Sequence, residues 1–201
     1  SWARRCVLET GTVASITPRD GAPAVVTKRI VHDMDKSYFP VNTIVPSTEI
    51  VQDRVTLELF RGCIRGCRFC QAGFLYRPFR EKSPETIVRQ CRSLCDTTGY
   101  QELSLSSLST SDHSQLEETL NELLPYLDEN HINITLPSLR VDNFSKELMD
   151  RIQGVRKSSL TFAPEAGTQR LRDVINKNVS EEELMRTAGI AFSGGFATVK
   201  L

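Results

Sequence analysis

Three of the chain's six cysteines lie within the stretch RGCIRGCRFCQAG, which runs from residue 61 to residue 73. Cys63, Cys67 and Cys70 have the spacing C-x-x-x-C-x-x-C. Thiolates at this spacing on a loop can wrap one compact polynuclear centre, whereas a structural zinc site needs a closed set of four ligands. An iron–sulfur cluster held by three cysteines keeps one iron without a protein ligand, and that iron can take a small molecule. The spacing therefore indicates a cluster that is open to a ligand.

The other candidates for a fourth metal ligand are weak. Cys91 and Cys95 fall on the apolar side of a predicted helix, where free cysteine is commonly a small buried hydrophobe. The three histidines, at positions 32, 113 and 131, show no ligand spacing. An electron carrier or assembly scaffold, with every iron capped by the protein, is the alternative that a nearby fourth thiol would favour.

Positive charge surrounds the three cysteines. Glu81 is the only acid between residues 61 and 82, a stretch that holds six basic residues: Arg61, Arg65, Arg68, Arg77, Arg80 and Lys82. Arginine can offset the negative charge of thiolates and sulfides while donating to sulfur or to a carboxylate. We therefore expect these residues to serve the cluster first; a nucleic-acid patch and a solvated face are the alternatives.

Composition narrows the class of protein. The chain has 201 residues, a formal net charge of zero and a hydrophobic content of 39%. A net charge of zero does not indicate that the chain as a whole binds nucleic acid. No apolar run approaches the ~18 residues that are needed to cross a membrane. Clustered cysteines without a signal peptide indicate the cytoplasm, where thiols stay reduced. The chain starts at Ser1 and stops where a strand begins, so we expect a piece of a longer protein.

Strands and helices are predicted to alternate from residue 53 onward. Residues 1–52 hold four prolines among short strands and turns, and are interpreted as a connector or the end of an upstream domain. Residues 53–201 alternate strands with helices, which predicts a parallel α/β sheet, either a barrel or a doubly wound sheet. The predicted strands are RVTLELF (54–60), ELSLSS (102–107), INITLPSLR (132–140), SSLTFAP (158–164) and FATVK (196–200). The predicted helices start at Ser83, cover 114–129, start at Ser145, carry Leu171, Val174 and Ile175, and start at Ser180 with Glu183 in a capping box.

Polar residues follow four predicted strands in turn. The cysteines follow the first, Ser106, Ser107 and Ser109 end or follow the second, and Ser138 with Arg140 ends the third. Pro164, Glu165 and Gly167 end or follow the fourth. Since parallel α/β folds carry their chemistry at the carboxyl ends of the strands, this edge is the predicted site.

The cysteine motif, with Phe69 just before its last cysteine, resembles the signature of the radical S-adenosylmethionine (SAM) superfamily. The resemblance covers most of residues 53–201, because the order of strands and helices also fits the partial (β/α) TIM-like barrel of that superfamily, here truncated at about strand five. Three segments are similar to a bacterial subgroup of this superfamily whose members carry an upstream cobalamin-binding domain: FRGCIRGCRFCQAGFLYRPFREKSPE, LSLSSLSTSD and LTFAPEAGTQRLRDVINK. The last of these also resembles the ESGS region of methylthiotransferases.

The resemblance implies a cofactor set and residues to bind it. The three cysteines would hold a 4Fe-4S cluster, SAM would chelate the open iron, and a reductant such as flavodoxin or ferredoxin would supply the electron that cleaves SAM to a 5′-deoxyadenosyl radical. Phe69 and the backbone after Cys70, at Gln71, would face the adenine. The hydroxyls of Ser106 and Ser107 would take the place of the family's usual glycine- and glutamate-rich segment after strand two.

Two further positions follow from the same resemblance. Glu165 matches the position after strand four that contacts SAM in relatives; the alternative is a carboxylate beside a helix start. Arg140 would meet the SAM carboxylate, and an ordinary surface arginine is the alternative. The residue that acts on substrate is unknown.

The resemblance leaves the reaction open. A cobalamin-dependent enzyme would show a D-x-H-x-x-G motif, which the stretch IVHDMDK around His32 lacks, so cobalamin would bind through a domain outside this chain. A methylthiotransferase that modifies tRNA or protein would need a second cysteine set and an RNA-binding domain. The substrate itself is unknown.

Overall fold

The computed structural model describes residues 3–7, 12–136, 140–141 and 160–201. The chain divides into two compact units, residues 1–32 and residues 33–201. In the first unit, strand β1 (Ala3–Val7) pairs antiparallel with β2 (Val13–Pro18). Short strands and turns are what the prolines of this region predict.

The second unit carries the remaining elements. In chain order these are β3 (Val55–Glu58), β4 (Phe60–Arg61), α1 (Ala72–Leu75), β5 (Arg80–Glu81), α2 (Pro84–Thr98), β6 (Glu102–Ser106), a 3₁₀ turn (Thr110–Asp112), α3 (Leu116–Glu129), β7 (Asn133–Thr135), β8 (Leu160–Thr161), α4 (Gln169–Val174), α5 (Glu181–Ser193) and β9 (Val199–Lys200). None of the helices in the described ranges is both long and apolar enough to cross a membrane.

A parallel sheet in the order β3-β6-β7 positions the first strand ends. Leu57 pairs with Leu105 across β3 and β6, and both side chains are fully buried. They alternate with polar neighbours, so one face of the sheet packs into the core that α2 and α3 cover. A second parallel pair joins β8 to β9. The predicted α/β fold with an open, partial barrel is confirmed.

Helix α2 forms as its sequence predicts. Ser83 caps it by accepting a hydrogen bond from the Thr86 amide at 3.3 Å, Pro84 takes the first helical position, and Gly99 ends the helix at φ +71°. Cys91 and Cys95 are buried in the core with their Sγ atoms 3.9 Å apart. The contact with Cys95 and burial both raise the pKa of the Cys91 thiol. The prediction that these two cysteines are core residues is confirmed.

The end of the chain also follows its local signals. At the start of α5 the Glu183 amide donates to Ser180 Oγ at 3.1 Å, and the Ser180 amide donates to Glu183 Oε2 at 2.8 Å. This is the predicted capping box.

Several boundaries differ from the sequence predictions. Strand β7 ends at Thr135 and β8 ends at Thr161, so both end earlier than predicted; residues 137–139, residues 158–159 and the helix predicted from Ser145 lie outside the described residues. Helix α3 begins at Leu116, not at residue 114, because the amide and hydroxyl of Ser114 bind the Glu81 carboxylate at 2.6 and 2.7 Å.

Helix α4 packs through a charged residue. Leu171 and Val174 are largely exposed, whereas Arg172 is buried. Its guanidinium donates to the Val179 and Ala166 carbonyls, both at 2.9 Å, and to Gln169 Oε1 at 3.1 Å. The three acceptors satisfy the buried cation and tie the turns on both sides of α4 together.

Candidate functional site

A cavity of about 310 Å³ lies at the carboxyl ends of the parallel strands. All three cysteines of the C-x-x-x-C-x-x-C motif line it, together with Arg65, Phe69 and Ala72 from the same loop. Later parts of the chain complete it: Leu108, Ser109, Arg140, Thr161, Ala163, Glu165 and Lys177. The structure therefore brings residues from four strand ends to one place, which is the arrangement that the sequence predicts.

The cysteine loop is shaped by its own backbone. Cys67 is 9% exposed, whereas Cys63 and Cys70 are half-buried, and all three thiols are free. The Arg65 amide donates to Cys63 Sγ at 3.4 Å, and the Cys70 amide donates to the Cys67 carbonyl at 3.1 Å. Within the described ranges, no three histidine, cysteine, aspartate or glutamate side chains form a group tight enough to hold a single metal ion; a polynuclear cluster is larger, and its cysteine ligands lie farther apart.

Arg65 links the cysteine loop to the segment after β6. Its Nε donates to Asp112 Oδ2 at 2.9 Å, and its Nη2 donates to Oδ1 of the same carboxylate. The Asp112 side chain is 2% exposed. Burial raises the pKa of this carboxyl, but the contacts with Arg65 and Ser109, together with the charges of Arg65 and Arg140, outweigh burial and hold the pKa below its usual value. A bidentate buried pair of this kind fixes the distance between two loops.

The expectation that the basic residues of 61–82 serve the cluster first holds only in part. Arg65 alone among them lines the cavity. The others have partners elsewhere: Arg61 with Glu58, Arg68 with the Val174 carbonyl, Arg77 over the Phe74 ring, Arg80 with the Pro78 carbonyl, and Lys82 with Gln90. The physical reason is that an irregular loop leaves backbone and side-chain acceptors unpaired, and guanidinium groups supply donors for them.

Lys82 is the most buried of these basic residues. Its side chain is enclosed, with Nζ 2.8 Å from Gln90 Oε1 and over the Phe39 ring. Burial lowers the pKa of Lys82. It belongs to the core beneath the loop and not to the cavity.

Ser106 and Ser107 line a different cavity from the cysteines. This second cavity, of about 320 Å³, also contacts Glu58, Arg61 and Tyr76, and it shares Leu108 with the first. Ser107 Oγ is hydrogen-bonded to Thr110 Oγ1 at 2.8 Å. Gln71 is exposed at the start of α1, with its carbonyl accepting the Phe74 and Leu75 amides, and its side chain does not line the cysteine cavity.

Ser109 takes the place in the cysteine cavity that the sequence suggested for its neighbours. It is 3% exposed, and its Oγ lies near the Asp112 carboxylate, whose pKa it helps to lower. In the described part of the chain this Oγ has no hydrogen-bond partner of good geometry. The run of serines after β6 was the available signal, but only the 3₁₀ turn determines which serine lies in the cavity.

Arg140 and Glu165 lie where the sequence predicts. The Arg140 guanidinium donates to the Lys177 carbonyl at 3.1 Å, and its amide donates to Ser111 Oγ at 3.3 Å. Glu165 has φ +68°, and its Oε1 is 3.5 Å from Lys177 Nζ. Helix α4 begins at Gln169 with Thr168 as its N-cap, so Glu165 lies four residues before the helix. Phe69 lines the cavity with its ring 55% exposed.

Two known proteins are similar to this chain in sequence. The chain is 33% identical over 145 residues to the uncharacterized protein MJ0966 of Methanocaldococcus jannaschii. The matched region covers 72% of this chain and 31% of that protein. The chain is 24% identical over 138 residues to the threonylcarbamoyladenosine tRNA methylthiotransferase MtaB of Bacillus subtilis. This matched region covers 66% of this chain and 28% of that protein. The chain thus spans about a third of the length of these relatives.

A solved structure has a fold similar to that of this chain. The cobalamin-dependent S-adenosylmethionine radical enzyme OxsB matches with a TM-score of 0.63 at 16% identity, covering 98% of this chain and 28% of that one. The family model of the radical SAM superfamily matches residues 57–201. The match includes the cysteine loop and every strand end that lines the cavity, so the chain belongs to the radical SAM superfamily.

Proposed function

We propose that this chain is the core of a radical SAM enzyme in which Cys63, Cys67 and Cys70 hold a 4Fe-4S cluster and SAM binds in the cysteine cavity. One observation carries the proposal: the three thiols of the motif line a single cavity with side chains from the ends of later strands. The family match implies the cluster and SAM. A reducing compartment, the cytoplasm, is part of the proposal because the thiols must stay unoxidised.

The donor chemistry around the cavity fits such a group. Three free thiols face it, and the Arg65 amide already donates to one sulfur, as amides do around cluster sulfurs. The buried Ser109 hydroxyl has no partner of good geometry among the described residues, so a ligand in the cavity could satisfy it. The cavity also holds charges of both signs at Arg140, Lys177 and Glu165, which suits a ligand with an amine and a carboxylate.

When bound, the reduced cluster supplies the electron that cleaves SAM to methionine and a 5′-deoxyadenosyl radical. The chain's own residues orient SAM for that step. Arg140 donates to its carboxylate, Glu165 and Ser109 accept from its amino group, and Phe69 with the backbone at Gln71 packs against the adenine. Ser106 and Ser107 line the neighbouring cavity, so Ser109 makes the contact with the SAM amino group that the sequence suggested for them.

The rest of the protein completes the enzyme. Residues 53–201 form the core that binds SAM, and residues 1–52 connect it to an upstream part. Cobalamin binds the intact protein through a domain outside this chain; the structural likeness to the cobalamin-dependent enzyme OxsB supports the use of this cofactor. An electron donor such as flavodoxin or ferredoxin reduces the cluster.

The sequence similarity to MtaB favours a methylthiotransferase as the second candidate. The two candidates share the cluster and SAM cleavage, so they differ in product: a methylthiotransferase would transfer sulfur as well as a methyl group. Mass spectrometry of modified RNA or protein would distinguish them.

The test of the proposal is SAM cleavage by the anaerobically reconstituted intact protein. With dithionite as reductant we expect 5′-deoxyadenosine, or another product derived from SAM, to form in samples that contain iron and sulfide. Chromatography measures the nucleoside and a colorimetric assay measures the iron in the same samples. A protein that holds its cluster and never consumes SAM would overturn the enzyme assignment and favour the electron carrier.

Replacing Glu165 with glutamine should weaken SAM binding while the cluster survives. The amide keeps the shape of the side chain but loses the charge that attracts an ammonium group, and hydrogen bonds to charged groups contribute about 1.5–3 kcal/mol, so the Kd should rise about tenfold or more. Equilibrium dialysis with SAM measures the change. The matched control is Glu182→Gln, because Glu182 is an exposed glutamate in the first turn of α5 and does not line the cavity. Equal Kd values for the two variants would remove Glu165 from the site.

A further inference from the structure

We infer that residues 174–177, here named the clamp segment, hold the cysteine loop in place at Cys67, and that Asn176 is the positioning residue of this clamp. Asn176 Nδ2 donates to the Gly66 carbonyl at 2.8 Å. On the other side of Cys67, the Arg68 amide donates to the Ile175 carbonyl at 2.9 Å. The peptide units before and after the buried middle cysteine are therefore both tied to the same four residues.

Two further contacts bring the loop and the clamp segment close together. The Arg68 guanidinium donates to the Val174 carbonyl, so the loop meets the end of α4 at a third point. A Cβ atom added to Gly66 would lie 3.1 Å from Asn176 Nδ2, which is tighter than an ordinary contact. Glycine at position 66 thus leaves room for the asparagine amide to approach the backbone.

The competing explanation for Asn176 is that it only ends helix α4. It follows the helix at φ +54°, its amide donates to the Asp173 carbonyl at 3.0 Å, and the Lys177 amide donates to the Arg172 carbonyl at 2.9 Å. Glycine fills such a left-handed position at least as well as asparagine. Only asparagine, however, also supplies a donor to Gly66. Replacement with glycine therefore keeps the helix end and removes the clamp.

The chain offers a matched control two residues later. Asn178 has φ +53°, nearly the same backbone conformation, but it is exposed and makes none of the contacts to the cysteine loop described above. Asn178→Gly thus reports what relief of backbone strain does by itself.

The experiment measures alkylation of individual cysteines by iodoacetamide in the metal-free intact protein, resolved by mass spectrometry. In Asn176→Gly we expect Cys67 to react about fivefold faster than in the wild type, since a net hydrogen-bond contribution of about 1 kcal/mol no longer keeps the loop closed. In Asn178→Gly the rate should change less than about twofold. Cys91 and Cys95, in the core, should keep their slow rates in both variants.

The outcomes separate the explanations. An unchanged Cys67 rate in Asn176→Gly overturns the clamp. A rise at Cys67 that is matched by a rise at Cys91 and Cys95 reports global unfolding and also overturns the positioning role. The consequence for cofactor binding rests on the proposed function: after reconstitution, Asn176→Gly should lose iron to a chelator faster than Asn178→Gly. A wild type that binds no iron would count against the proposed function alone, because the alkylation result needs no metal.

Discussion

Replacing Cys67 with alanine is expected to abolish iron binding and SAM cleavage together. Cys67 is the buried middle cysteine of the motif, and both peptide units beside it are fixed by hydrogen bonds to residues 175 and 176. Cys91 and Cys95 cannot take its place, because both lie on the buried side of α2 in the core. Iron analysis and 5′-deoxyadenosine formation in the same anaerobic samples measure the loss, and both should fall to background.

Cys91→Ala is the matched control for this prediction. It also removes one thiol, but from the core, where the lost burial should lower the free energy of unfolding by about 1 kcal/mol. We expect its iron content and SAM cleavage to equal those of the wild type. Iron retained in Cys67→Ala, or lost from a folded Cys91→Ala, would contradict the assignment of the three ligands.

Replacing Gly62 with alanine should give the largest loss of stability among single changes at the site. Gly62 precedes the first cysteine of the motif and has φ +101°, where side chains are strained. An added Cβ would lie 2.7 Å from the Tyr76 carbonyl oxygen and 2.9 Å from Phe79 Cα and the Pro78 carbonyl oxygen. All three atoms belong to the backbone and cannot rotate away. Strain and overpacking together should lower the free energy of unfolding by about 3 kcal/mol or more.

Gly99→Ala separates these two contributions. Gly99 ends α2 at φ +71°, but an added Cβ there meets no atom within 4 Å, so only the conformational cost of about 1–2 kcal/mol applies. Urea titrations followed by circular dichroism measure both variants. Gly62→Ala should also lose iron, since the chain can escape the clash only by moving Cys63. Equal stability losses in the two variants would show that the close approach at Gly62 is unimportant.

The elements that local chemistry determines were predictable from the sequence. Ser83 and Pro84 start α2, and Ser180 with Glu183 starts α5, because a cap needs only residues within one turn of the helix. The gathering of the three cysteines, Arg140 and Glu165 around one cavity was also predictable, since parallel strands place their carboxyl ends at one edge.

What depends on contacts between distant loops was not predictable. The pairing of Arg65 with Asp112 joins residues 47 positions apart, and no local pattern marks it. The placement of Ser109, and not Ser106 or Ser107, in the cysteine cavity depends on the turn after β6, where two positions along the chain separate a side chain in one cavity from a side chain in the next. The burial of Arg172 was hidden for a related reason: its acceptors are carbonyls, which every residue carries.

The bond from Asn176 to Gly66 spans 110 positions, and this separation sets an order of events during synthesis. A ribosome that adds about 5–20 residues per second needs roughly 6–22 s to cover that distance. For that interval the cysteines have left the exit tunnel while the segment that encloses Cys67 has not. The nascent chain therefore passes through a period in which its most protected motif thiol is open to oxidants, to stray metal ions and to whatever delivers iron and sulfide.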